Sequence, residues 1–306
     1  MLGLILSLII FNVDPNPNAG ATGYTFLRIS PSARTAAMAN TSIGLETNPD
    51  IAGFDFLYNP ATDIINSNLS LGYINYLAGI SLGALGYGQA NPLPFLSSGG
   101  VGITYLNSGL IKRTDEQGNE LGTFTVSYLN LNAVGSRTLM NDQMTVGAGL
   151  KFLYGSIDSF VGLGSALDIG LRYKANPNFL VGAVVKNLGL EFKAFDTDKD
   201  DLPLDIGVGA SYLVSKSIVL ALDIHKPTDN SVLFNFGGQA ALNDYIVLRA
   251  GYNSSGKYYK TGGAADILSG LSAGLGVKYS KYQLDYSFTP MGDLGRLHHI
   301  SLSLVL

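Results

Sequence analysis

The sequence predicts an all-β chain, a closed antiparallel transmembrane β-barrel of about fourteen strands with an N-terminal plug-like segment. Three observations carry this expectation. Charged residues make up only 14% of the 306 residues, while Gly reaches 38 and the rings of 17 Tyr and 14 Phe are plentiful. Apolar residues recur with a period of two over stretches of about nine to eleven residues, the length a tilted strand needs to cross a bilayer. Finally, tight and long connections alternate from the sixth strand onward, as they do between the two ends of such barrels.

The N-terminal stretch 2–11 (LGLILSLIIF) has the size of a signal-peptide core and is too short to span a bilayer as a helix. Residues 1–21 are therefore expected to be an export signal, cut near Ala19 or Ala21. Residues 22–66 do not alternate cleanly. Their small side chains at Ala33, Ala36, Ala37, Ala39 and Gly44 would let this stretch pack inside a lumen as a plug, or else trail as a periplasmic segment. The barrel is expected from residue 67 to residue 306.

Within it the alternation is explicit. Met144, Val146, Ala148, Leu150, Phe152 and Tyr154 form an oily face, and Thr145, Gly147, Gly149 and Lys151 oppose it. Leu167, Ile169, Leu171 and Tyr173 stand against Asp168, Gly170, Arg172 and Lys174 in the same way, and Leu204, Ile206, Val208, Ala210 and Tyr212 against Asp205, Gly207, Gly209 and Ser211. These divisions place strands near 68–77, 79–88, 99–108, 123–135, 143–155, 165–175, 179–188, 203–213, 216–225, 231–242, 244–253, 270–280, 281–289 and 297–306. A soluble sandwich would use shorter strands and put its charge outside. Closure is expected, because lipid cannot satisfy the open edge of a sheet. The first hairpin departs from the loop rule, with 77–79 tight and 88–98 long. Rings near strand ends (Tyr105, Tyr128, Tyr154, Tyr173, Tyr212, Tyr252, Tyr279, Tyr286 and Phe288) are expected to form girdles at the two lipid–water interfaces.

Composition also excludes functions. The net charge is −4 with no basic cluster, which leaves no footprint for nucleic acid, and the absence of Cys removes thiol chemistry and thiolate metal sites. His298 and His299 are adjacent on a strand and face opposite sides, so they cannot chelate one metal together. Asp196, Asp198, Asp200 and Asp201 mimic the start of a calcium loop, but Asp201 stands where the turn needs Gly, and a solvated external loop is expected there. No nucleophile elbow, phosphate loop or zinc motif occurs, His225 is the one inward-facing partner available to a hidden serine, and no catalytic, cofactor or metal residue is expected.

With the oily faces on lipid, the opposite faces bring Lys151, Asp168, Arg172, Lys186, Asp205, Asp223, Arg249, Lys278 and Asp285 into the lumen, together with Arg28 and Arg34 of the N-terminal segment. Mixed signs point to internal ion pairs that pin the plug rather than to an open, selective pore.

The stretch 26–44 (FLRISPSARTAAMANTSIG), the element 58–61 (YNPA), and the later stretches 102–122, 146–154, 166–173 and 186–189 (KNLG) resemble the PorV/PorQ family, outer-membrane barrels related in architecture to the fatty-acid transporter FadL. Departures are residues 37–40 (AMAN) in place of a Gly-rich stretch, Tyr58 in place of a Trp, and a final Leu306 in place of Phe. The resemblance implies a non-enzymatic barrel in the bacterial outer membrane, in contact with its lipid. PorV-like members serve type IX protein secretion by binding the translocon or its cargo. FadL-like barrels instead pass small hydrophobic molecules through a plugged lumen.

Overall fold

The computed structural model describes residues 18–46 and 52–306. Of the expected export signal, residues 1–17 lie outside the described residues. The described chain opens with short helical turns, including α1 (Ala33–Ala37), and then becomes almost wholly β. In chain order the strands are β1 (Asn68–Asn75), β2 (Ser81–Leu93), β3 (Leu96–Asn107), β4 (Ile111–Thr114), β5 (Glu120–Phe124), β6 (Val126–Leu139), β7 (Met144–Ile157) and β8 (Phe160–Asn176). They continue with β9 (Phe179–Lys193), β10 (Asp205–Ser215), β11 (Ile218–Pro227), β12 (Leu233–Ala241), β13 (Ile246–Asn253), β14 (Leu271–Tyr279), β15 (Tyr282–Pro290) and β16 (Arg296–Val305).

Fourteen of these strands close into one antiparallel barrel, each paired with its neighbour in sequence except that β3 pairs β6. The small hairpin β4–β5 stands apart within the link between those two. The barrel closes where β1 meets β16, in register from Asn68 opposite Val305 to Asn75 opposite His298. Every barrel strand thus satisfies its backbone groups on both sides, as a lipid-facing wall requires. Among the described residues, no helix is long and apolar enough to cross a membrane.

The expected strands recur with adjusted ends. The region expected as one strand at 123–135 divides, so that residues 120–124 belong to the hairpin and the wall resumes at Val126. The expected long link at 88–98 is a correction: β2 and β3 run on until only 94–95 remain between them. That removes the exception in the first hairpin. Links 94–95, 140–143, 177–178, 216–217, 242–245 and 280–281 gather at one end, and the longer ones, 108–125, 194–204 and 254–270 among them, at the other.

The wall is polar inside and apolar outside, the inverse of a soluble core. Leu150, Phe152, Ile169, Leu171, Val208, Leu222, Leu284 and Leu302 are exposed on the outer face, while Lys151, Asp168, Arg172, Asp223 and Asp285 are buried. One expected girdle ring is misplaced. Tyr128 faces inward, because Asn130 and Asn132 on the same face of β6 are buried in the lumen; its ring stacks on Phe26 with centroids 5.1 Å apart.

Candidate functional site: a plugged lumen with two cavities

The N-terminal segment touches the wall around nearly its whole circumference, so it lies inside the barrel. It starts at the long-loop end, where Thr22 bridges Asp201 and the Gly23 amide donates to the Asp201 carbonyl over 3.0 Å. The Asp196–Asp201 loop therefore packs on the plug as well as facing solvent. Tyr24 and Phe26 join Tyr128 and Phe195 in an aromatic cluster, and the Tyr24 hydroxyl donates to Glu191. Burial, together with the neighbouring Glu191 carboxylate, raises the affinity of that hydroxyl for its proton. The segment then descends. Glu46 pairs with Lys174 at 2.8 Å near the short-turn end, and residues 52–66 lead along the wall into β1.

Glycine decides how closely the segment approaches the wall. Gly147 on β7 and Gly170 on β8 are opposite one another in register. A Cβ on the first would lie 2.2 Å from the Pro60 carbonyl oxygen, and one on the second 2.0 Å from Asn59 Oδ1. Gly182 and Gly209, also paired, receive Ile43 and Gly44 in the same manner. The paired Gly86 and Gly102 seat Phe54, Phe56 and Leu57, and Gly237 with Gly251 seats Met38 and Ala39. Glycines on the inward face are thus sockets for the plug. Within the plug, Ser32 caps α1 by accepting from the Thr35 amide, and the small side chains of Ala33, Ala36 and Ala37 let the turn lie against β13 to β16.

Polar groups fix the register of these contacts. Asp223 on β11 accepts from the Ser42 amide at 2.6 Å and the Ile43 amide at 3.0 Å. Arg172 on β8 donates to the carbonyls of the same two residues, at 3.0 and 3.2 Å. Asn59 Nδ2 is a second donor to the Ile43 carbonyl, at 2.9 Å. Arg34 pairs with Asp55 at 2.8 Å, tying the two passes of the plug together. At the upper end Arg28 holds Asp229 through both carboxylate oxygens, and Oδ2 also accepts from the Thr22 hydroxyl.

The remaining expected lumen residues divide. Lys151 with Asp168 (2.7 Å) and Arg249 with Asp285 (2.7 Å) are buried pairs between wall strands, and do not reach the plug. Asp205 pairs with His225 at 2.8 Å, and Lys186 lies over the Tyr58 ring at 5.7 Å. Lys278 lies apart from the others at the short-turn rim, beside Asp244 and Lys281. Sequence reasoning missed Asp55, Glu191, Asp229 and Asn59. Only the Asn-Pro-Ala element of the last offered a signal. His299 was also missed as an inward group, and His225 is not the one inward histidine: His299 is buried on the luminal face, while His298 faces out and meets the Tyr286 hydroxyl at 2.7 Å.

Two cavities flank the descending stretch 25–31 near the long-loop end. The larger, about 520 Å³, is chiefly apolar, with Phe26, Ile29, Leu106, Val126, Tyr128 and Leu297 among its walls. The smaller, about 270 Å³, is the more polar of the two and includes Asn130, Asn132, Lys186, Asp205, His225 and Asn235 beside Ile43, Leu57 and Leu233. Among the described residues no group of His, Asp and Glu is arranged to hold a metal ion.

No family model matches the chain, and no curated protein matches it. Solved structures do. The toluene transporter TbuX of Ralstonia pickettii superposes with a TM-score of 0.65 over 92% of this chain and 100% of its own, at 13% identity. The toluene transporter TodX of Pseudomonas putida gives 0.60 over 90% and 96%, at 15% identity. A FadL homologue of Pseudomonas aeruginosa gives 0.57 over 90% and 98%, at 11% identity. At such identities the likeness is one of fold: this chain shares the closed fourteen-stranded architecture of FadL-like barrels, and the narrower PorV/PorQ resemblance gains no support from these neighbours.

Proposed function

We propose that the protein is a non-enzymatic barrel of the bacterial outer membrane that passes small, predominantly apolar molecules through its lumen. The observation that carries this reading is the apolar cavity of about 520 Å³ between plug and wall at the long-loop end. Phe26, Ile29 and Leu106 belong to the hydrophobic cluster between plug and wall, and with Val126 and Leu297 they leave open space beside it, the lining that a site for apolar ligands needs. The solved barrels of the same fold include transporters described as carrying toluene, which agrees with it. The secretion-accessory role implied by the PorV resemblance draws on no comparable feature of the lumen.

Uptake of radiolabelled toluene by cells of a porin-deficient strain tests the reading. Expression of the barrel should raise the uptake rate several-fold. Leu106→Trp, which would fill the cavity, should cut the increment about tenfold while the barrel still folds. Uptake equal to that of the empty strain would rule the reading out, as would an increment indifferent to Leu106→Trp.

A further inference from the structure

The two cavities are contiguous. Phe26, Arg28, Ile29, Ser30 and Tyr259 line both, so the descending plug stretch is their common border. Strand β6 shows where the polarity changes. Val126 and Tyr128 face the apolar cavity, and Asn130 and Asn132, the next two inward positions, face the polar one. The boundary thus falls within one step of about 7 Å along the strand.

The polar cavity is lined by groups that lack partners. Asn130, Asn132 and Asn235 are each more than nine-tenths buried, and among the described residues their amide oxygens accept no hydrogen bond. Asp205 Oδ1 and His225 Nε2 are likewise unmet. Three nearly buried amide side chains, a carboxylate and an imidazole border this one space, so its lining suits hydrogen-bonding matter more than an apolar group. The 270 Å³ available corresponds to the volume of about nine waters, enough for a sizeable polar head.

The charges select the kind of head. Charges of both signs line it side by side: Lys186 stands opposite Asp205 in register on the neighbouring strand, Asp205 pairs with His225, and Arg28 and Lys151 also border the space. A bare carboxylate would meet Asp205 and the amide oxygens, and a bare ammonium would meet Lys186. Hydroxyl groups both donate and accept, so they suit amides, carboxylate and ammonium together. The geometry points to an amphiphile as the substrate, with an apolar body in the larger cavity and a neutral, hydroxyl-rich head among Asn130, Asn132 and Asn235. This inference rests on the uptake reading above and narrows its substrate class.

Calorimetric titration of the barrel in lipid nanodiscs, with empty nanodiscs subtracted, separates the two. Hexyl glucoside, toluene and hexanoate serve as probes. Hexyl glucoside should bind about tenfold or more tightly than either of the others, because a site that hydrogen-bonds a hydroxylated head discriminates strongly against ligands lacking it. In Asn132→Leu, and independently in Asn235→Leu, the ratio of glucoside to toluene affinity should fall about tenfold, in protein that keeps the heat-modifiable gel migration of a folded barrel. Toluene bound as tightly as the glucoside, hexanoate bound most tightly, or a preference surviving both substitutions overturns the amphiphile inference and leaves uptake standing. No binding of any probe overturns both.

Discussion

The lumen has two halves built on opposite principles. Toward the short turns the plug lies close on glycine pairs such as Gly147 with Gly170 and Gly182 with Gly209, its backbone gripped by the side chains of Asp223 and Arg172, and a space of about 540 Å³ opens only at the rim, beside Glu46, Asp63 and Lys174. Toward the long loops the wall presents full side chains, Leu106, Val126, Tyr128, Asn130 and Asn132; Tyr128 stacks on Phe26 of the plug, and two cavities remain beside that contact. The difference shows that a single strand pattern serves both sealing and binding. The inward face lets the plug approach closely where it carries glycine, and leaves space beside the plug where it carries larger side chains.

The largest expected effect belongs to the sealed half. Asp223→Ala leaves the buried Ser42 and Ile43 amides unpaired and removes two charge-assisted bonds, which should destabilise the plug by about 3 kcal/mol. Planar-bilayer recordings should then show larger or more frequent openings than the parent, and unchanged conductance would refute the seal assigned to this contact. Gly147→Val comes next. Its new side chain would collide with the Pro60 carbonyl, at a cost of about 2 kcal/mol read from urea unfolding in vesicles, whereas Gly83→Val, with nothing near its Cβ, should cost far less.

The smallest effect concerns the upper latch. Burial alone would raise the Asp229 carboxyl, but hydrogen bonds from Arg28 and Thr22 outweigh it and hold the group below the usual carboxylate range. A carboxylate depressed in the folded state stabilises fully above its unfolded value near pH 4, and loses that contribution as the pH falls through its lower folded value. Hydrogen exchange at residues 22–28 should therefore be slow at pH 6, allowing for intrinsic rates, and should lose protection equivalent to about 1 kcal/mol by pH 2.5. Asp229→Asn should flatten that dependence, and an unaltered profile would show that the latch lies elsewhere.

Much of the wall was legible because lipid imposes a strict rule on strands: oily positions recur at every second residue, and strands must be long enough to cross and even enough to close. Lys151, Asp168, Arg172, Asp223 and Asp285 could be assigned inward from that period alone, and all are buried. The same period misled at Tyr128, because a ring near a strand end reads as a girdle whichever face it takes. The inward glycines were visible as a small face, yet their use as sockets was not, since the groups they receive lie about 30 to 210 residues away in sequence.

The sequence by itself determined the barrel, its strand number and the sidedness of its wall, because alternation is a local property that the bilayer reads directly. Only the tertiary structure decided the path of residues 18–46 and 52–66 through the lumen, the pairing of Arg28 with Asp229 and of Asp223 with the Ser42 and Ile43 amides, and the two cavities beside that path. Those depend on which wall residues the closed cylinder brings face to face across its interior, and no local period encodes that.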